Sequence, residues 1–385
     1  MQLNFCSSFF NPPPMKYLVH FAQSHPNFRL AELRSVAQMF NIGLEEVDLE
    51  GHQLDSPFLV LELSCSEPEI KLILGRCILI RAIYVLYGSS ESGFSHMVNE
   101  IKGTVNDISD LKLFPPNGSF KFMVETFNHT LDSATQLEMI NSFAFLPIGR
   151  RVNLKNPDMT FAIVSDYQMA LKKGLAPKFR QVFMGRLVGV GRRDLIEKYS
   201  LKKRKYVGTT SMESEISLVS ANMVQAREGM LILDPFMGTG SFLLTCSEFG
   251  AYTMGSELDG RKLRRLDAKS PCFADNIVQY GLQSRILDTL VFDVKLMPFS
   301  DRLRFDAIVT DPPYGVREGA RKIAASSVPS PPDQLFEQER AVTRFPDTEA
   351  YEVEDVISDL VEMAARKLNV GGRLAYWHPV SKDSS

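Results

Sequence analysis

Two apolar runs that end in the same dipeptide constrain this chain more than any other feature. Leu231-Ile232-Leu233 leads into Asp234-Pro235-Phe236-Met237-Gly238-Thr239-Gly240. Phe305-Asp306-Ala307-Ile308-Val309-Thr310 leads into Asp311-Pro312-Pro313-Tyr314-Gly315. Each reads as a buried strand that stops at an acidic corner. Around them strands and helices alternate. Strands are expected over 231–236, 251–257, 288–293, 305–310 and 373–380. Helices are expected over 240–249, up to 280–281, and over 351–368, with one more capped by Thr210 or Ser211. This alternation predicts an α/β domain on a doubly wound parallel sheet.

The first hundred residues follow another rhythm. Strands are expected over 16–22, 58–63 and 78–87, with helices over 29–40 and 68–76 between them. That order suits an α+β domain of the ferredoxin-like, split-βαβ kind over 15–110. A second small group follows, with a helix near 96–102, strands over 119–127 and 160–164 and a helix near 133–143, and its domain is expected over 111–171. Residues 1–14, with Pro12-Pro13-Pro14, read as a disordered extension. Residues 172–205 carry twelve Lys and Arg against Asp194 and Glu197, in a chain of net charge −3. Gly185, Gly189 and Gly191 punctuate this stretch, which reads as a basic linker. A basic stretch in an acidic protein suggests a polyanion such as nucleic acid. Residues 206–385 complete the second half.

Composition excludes several classes. With 44% hydrophobic and 23% charged residues, wholesale disorder is excluded. The most apolar stretch, 77–87, is interrupted by Arg81 and falls far short of the ~20 residues of a membrane span, so no membrane association is expected. Five cysteines without a CxxC pair suit a reducing, cytoplasmic compartment and give no zinc cluster. No metal site is expected on the chain itself.

The two corners carry the chemistry. Gly238 and Gly240 let the backbone turn close to a ligand at the start of a helix. GxGxxG is absent, because Leu243 stands at its last position, and so is GK[ST], which excludes a P-loop. An acid at the strand end suits a cationic group better than a pyrophosphate, which favours S-adenosylmethionine. Asp234, Pro235, Phe236, Gly238 and Gly240 are its candidate ligands. At the next strand end Glu257, with Asp259 second, can accept from ribose hydroxyls. Asp293 can accept from the adenine amine. In the second corner, Asp311 and the Pro312 carbonyl can hold the two N–H groups of an exocyclic base amine. Pro313 stiffens the turn, and Tyr314 can stack on the base, which must leave its own stack to arrive.

Taken in order, Asp234 through Gly240 and Asp311 through Gly315 resemble the amino-methyltransferase branch of the Rossmann-like enzymes. Further segments narrow the resemblance: Phe183-Met184-Gly185-Arg186, Tyr199-Ser200-Leu201-Lys202-Lys203-Arg204, Gly208-Thr209-Thr210-Ser211-Met212, and Val316-Arg317-Glu318 after Gly315. With them the chain resembles the eukaryotic tRNA guanosine-N2 methyltransferase catalytic subunit, over nearly its whole length from Met15. That resemblance implies methylation of guanosine 10 in tRNA. It also implies a THUMP-like RNA-binding region over 111–171 and a small zinc-containing activator subunit in a heterodimer. Asp311 through Tyr314 would hold the guanine amine, and Arg317, Lys202, Lys203 and Arg204 would contact the tRNA. The fold implied has seven strands in the methyltransferase sheet, of which five are legible. The sheet is therefore expected to lack its closing hairpin, leaving 373–380 an exposed edge that carries Trp377. Two other readings stay open: a truncated, non-catalytic tRNA- or activator-binding module, and an adenine N6-methyltransferase, since an Asp-Pro-Pro-Tyr corner serves either amine.

Overall fold

The computed structural model describes residues 14–44, 53–113, 115, 117–149, 151–169, 177–260, 263, 269–314, 321–323 and 348–379. The extension expected at 1–14 lies outside these residues except for Pro14. The chain divides into two units, Met1–Arg193 and Asp194–Ser385.

In the first unit the elements run β1 (Met15–Phe21), α1 (Arg29–Met39), β2 (Phe58–Leu63), α2 (Glu67–Leu74), β3 (Ile80–Ser90) and α3 (Phe94–Thr104). They continue with β4 (Ser119–Phe127), α4 (Ser133–Asn141), β5 (Arg151–Val152), β6 (Met159–Gln168) and β7 (Lys178–Val190). All seven strands join one sheet, in the order β2-β1-β3-β7-β6-β4-β5. Leu33, Val36 and Ala37 of α1 and Ile70, Ile73 and Leu74 of α2 pack on Tyr17, Val19, Ile83 and Val85. A Ser66–Glu69 capping box starts α2, with the Ser66 amide donating to Glu69 Oε2 at 2.7 Å. Met97 and Ile101 of α3 and Met139 of α4 pack on Phe161, Ile163, Val182 and Met184. The sheet rolls so far that β2 and β4, remote in its order, approach one another. The Phe58 and Phe127 rings lie 6.2 Å apart, and Ser56 Oγ donates to Asp166 Oδ2 at 2.7 Å.

This sheet corrects two expectations. The residues read as a basic linker contain β7, a central strand antiparallel to both β3 and β6. The boundary expected at 110/111 falls inside one sheet, because β7 joins the two groups of strands. The glycines that look like linker punctuation answer to packing. A Cβ on Gly185 would collide with the Val85 carbonyl, and one on Gly191 with the Ile80 carbonyl.

The second unit runs α5 (Asp194–Lys198), α6 (Ser214–Met223), β8 (Leu231–Asp234), α7 (Ser241–Glu248), β9 (Tyr252–Ser256), α8 (Phe273–Tyr280) and β10 (Ile286–Leu290). It continues with β11 (Phe305–Thr310), β12 (Arg321–Ile323), β13 (Thr348–Ala350), α9 (Val353–Lys367) and β14 (Leu368–Tyr376). β12 and β13 form an antiparallel ribbon. The others form the expected parallel sheet, in the order β10-β9-β8-β11-β14. Ile232, Ala307 and Val309 meet α6 and α7 on one face. Leu233, Phe305 and Ile308 meet Leu360, Met363 and Ala364 of α9 on the other. The order of connection reverses between β8 and β11, and ligands of open α/β sheets bind at such a switch point, beyond the strands' C-terminal ends. Both Asp-Pro corners stand there.

The fifth strand is the sheet edge, as expected, but Trp377 is not an exposed liability. It follows β14, packs against the cluster under α6, and donates from Nε1 to Ser220 Oγ at 3.0 Å. No helix among the described residues is long and apolar enough to cross a membrane. Among the same residues no group of three His, Cys, Asp or Glu is placed to hold a metal ion. Residues 326–346, a long stretch without clear periodicity whose first half is rich in Ser and Pro, lie outside the described residues.

Candidate active site

The first corner is tied down on three sides. The chain leaves β8 at Asp234, and Gly238 and Gly240 take positive φ values of 51° and 77°. Only glycine adopts these freely, and at Gly240 a Cβ would also strike the Phe273 ring. The Met237 amide donates to the Ser256 carbonyl at 2.8 Å, and Ser256 Oγ donates to the Pro235 carbonyl at 2.7 Å. Both bonds fasten the loop to the end of β9. On its other flank Thr239 Oγ1 and Ser211 Oγ share a hydrogen bond of 2.7 Å, while Ser211 Oγ accepts from the Gly208 amide. Ser211 therefore does not cap α6, which begins at Ser214 after Glu213.

Asp234 is fully buried at the centre of this arrangement. Its Oδ1 accepts from Thr310 Oγ1 at 2.7 Å and from the Phe236 amide at 3.1 Å. Its Oδ2 is buried and has no hydrogen-bond partner. Burial pushes the carboxyl up to about 7, and the charges of Asp311 and Glu257 push the same way. Two acids thus act on a third where β8, β9 and β11 end. Glu257 Oε1 accepts from the Asp259 amide at 3.0 Å, so the two residues considered for the ribose form a single turn.

The second corner leaves β11 directly. Pro312 is buried, and Asp311, Pro313 and Tyr314 are half-buried. The Tyr314 hydroxyl is buried without a hydrogen-bond partner, and burial followed by the Asp311 and Tyr376 charges raises its pKa. The His378 ring meets Tyr314 edge-on, with centroids 5.5 Å apart. The structure thus brings Asp234, Glu257, Asp311 and Tyr314 to one end of one sheet.

Other candidates stand elsewhere. Asp293 does not end a strand, because β10 stops at Leu290. Its Oδ1 accepts from the Lys295 amide at 2.9 Å and its Oδ2 from the Ile323 amide at 2.7 Å. Arg204 is corrected from an RNA contact to a buried brace. It donates from Nη1 to Ser241 Oγ at 2.7 Å, pinning the first turn of α7, and Ser241 Oγ donates to the Met212 carbonyl. Lys202 and Lys203 are exposed, and Lys203 pairs with Glu197 at 2.6 Å. Arg317 lies outside the described residues. Sequence reasoning missed Thr310, Ser256 and the Ser211–Thr239 pair. Only the polar type of Thr310 at the end of an apolar strand could have signalled its role.

Residues 15–193 match the family described as Tmrp11 THUMP N-terminal domain, and residues 193–330 match N-6 DNA Methylase. Together with the parallel sheet and its two corners, these matches define an amino-methyltransferase with a THUMP-type N-terminal half. The tRNA (guanine(10)-N(2))-methyltransferase of Saccharomyces cerevisiae is 34% identical, over 96% of this chain and 85% of its own length. The Dictyostelium discoideum protein of the same name is 36% identical, over 96% of this chain and 75% of that one. The human one is 33% identical, over 95% and 80%. The chain belongs to the tRNA (guanine(10)-N(2))-methyltransferase family. Among solved structures, TrmN from Thermus thermophilus matches at 17% identity and a TM-score of 0.42, over 94% of this chain and 88% of that one, too loosely to carry an argument.

Proposed function

We propose that this chain transfers a methyl group from S-adenosylmethionine to the N2 amine of guanosine 10 in tRNA. One observation carries the reading: a buried carboxylate oxygen without a donor, Asp234 Oδ2, stands beside Asp311 at the switch point of the sheet. A cationic amine fits that oxygen, because it would supply the missing donor together with a positive charge. When bound, S-adenosylmethionine supplies an electrophilic methyl group on a sulfonium. Asp234 and the Gly238–Gly240 turn hold its amino-acid end, and Glu257 its ribose. Asp311 and the Pro312 carbonyl accept from the guanine amine and orient its lone pair, so most of the rate gain is positioning. Tyr314, braced edge-on by His378, closes one side of the base pocket.

The first unit and the exposed Lys202, Lys203 and Lys205 would grip the tRNA by its phosphates and shape. A small zinc-containing activator subunit completes the proposal. The β10 edge exposes Leu287 and Val291, apolar surface that a partner would cover. A reducing, cytoplasmic setting agrees with Cys65, Cys77, Cys246 and Cys272, all buried and none in a disulfide.

The test is methyl transfer to unmodified tRNA by the chain co-expressed with the activator, with product nucleosides identified by mass spectrometry. N2-methylguanosine, lost in Asp311→Ala, is the expected result. N6-methyladenosine would assign the same corner to adenine. No product from a folded complex, beside an active full-length relative, would leave a binding module.

A further inference from the structure

One hydroxyl joins the two corners of the site. Thr310, the last residue of β11, is fully buried, and its own peptide carries Asp311. Its Oγ1 donates to Asp234 across the switch point. The other donor to that carboxylate, the Phe236 amide, bonds the same oxygen. Two donors therefore sit on Oδ1 and none on Oδ2. Such asymmetry fixes the rotation of a carboxylate, whose two-fold torsion is otherwise soft.

The geometry points to Thr310 as a positioning residue: its hydroxyl sets the Asp234 carboxylate so that Oδ2 is kept for the cationic amine of the cofactor. This rests on the S-adenosylmethionine reading of the β8 corner. Without the hydroxyl, a single amide from Asp234's own loop remains to orient the group. The balance of charge shifts as well. Burial, Asp311 and Glu257 all favour the protonated acid, while Thr310 and the Phe236 amide favour the carboxylate. Removing one of the two favourable bonds leaves more of Asp234 protonated near neutral pH, and a protonated acid does not attract an ammonium.

The experiment compares the wild-type chain with Thr310→Val, which keeps the shape, and Thr310→Ser, which keeps the hydroxyl. The probe is S-adenosylhomocysteine, which retains the ammonium and lacks the sulfonium. Its affinity is measured by calorimetry from pH 6 to 8.5, in two buffers of different ionisation heat that report proton release. Thr310→Val should weaken binding about tenfold near pH 7 and release more protons on binding, with the deficit shrinking as pH rises. Thr310→Ser should restore both. In the ligand-free protein, cooperative melting of the wild type and both variants reports folding, and the fall of stability with rising pH should extend to higher pH in Thr310→Val. Wild-type affinity in Thr310→Val at every pH overturns the inference. So does a deficit constant across pH, which would mean packing alone, or a failure of Thr310→Ser to restore binding. Absence of saturable binding by the wild type instead overturns the cofactor reading, and this inference with it.

Discussion

Each unit gathers acids around one buried aspartate, and the two clusters are built on opposite plans. In the first unit Asp110 and Glu67 close on Arg186. Arg186 Nε and Nη2 donate to the two oxygens of Asp110, and Nη2 also donates to Glu67, all at 2.7 Å. Tyr87 adds its hydroxyl to Asp110. Burial by itself would lower the Arg186 pKa, and the two carboxylates more than reverse this. In the second unit Asp234 has Asp311 and Glu257 as its strongest charged neighbours, and neither is basic. The first cluster is complete, and fixes the short helical turn before β4 against β7 and α2. In the second, no basic group stands among the charges that shift Asp234, and its Oδ2 has no donor. A fold leaves such a deficit where a ligand is to fill it.

Four measurements bear on that contrast. Arg186→Ala strands Asp110 in the core, so it should destabilise the first unit by about 3–5 kcal/mol in denaturant titrations. A loss under about 1 kcal/mol would show the cluster to be less closed than it looks. Asp311→Ala should lower kcat on the order of 10²–10³-fold while leaving the melting temperature near its original value. A large loss of stability instead would make Asp311 a structural acid like Asp110.

Asp234→Asn sharpens the contrast by acting oppositely on binding and stability. Asp234 stands at about 7 in the fold, against about 3.9 in an unfolded chain. Between those values the native state holds a proton that the unfolded state has lost, so ligand-free stability falls as pH rises from about 4 to about 7. The asparagine variant should lose that fall, melt higher than wild type at pH 8, and bind S-adenosylhomocysteine roughly tenfold more weakly. A melting curve with unchanged pH dependence would count against a strained acid. The smallest effect belongs to the exposed Lys202. Its replacement by Ala should lower the salt dependence of tRNA binding by about one unit of slope and the affinity a few-fold.

The second unit was the more legible in sequence. Its two central strands are apolar runs with abrupt acidic ends, and local pattern suffices to place them. β11 begins and ends where its pattern predicts. Asp293 was misplaced because Ile286 and Leu287 continue the run upstream and pull the strand toward the N-terminus. In the first unit β7 escaped notice. Covered on both faces, it shows no clean alternation, and its Gly185 answers to the Val85 carbonyl of β3, a hundred residues away in sequence. Arg204 was misread for a related reason. A run of Lys-Lys-Arg-Lys looks uniformly solvated, yet the turn after α5 sends one member inward to Ser241. Long-range pairing, which composition cannot register, accounts for each of these differences.

The place of β7 in its sheet also bears on how the protein is made. Without it the order β2-β1-β3-β7-β6-β4-β5 separates into two three-stranded fragments with no backbone ladder between them. A ribosome delivers the strand that joins them last, after the other six have emerged. Until then β3 and β6 each present an open edge, the kind of surface that invites pairing with a neighbouring nascent chain. Closure must then bring together segments far apart along the chain, which slows folding. The N-terminal half should therefore be the kinetically vulnerable part of this enzyme, dependent on its final thirteen-residue strand arriving before its edges find other partners.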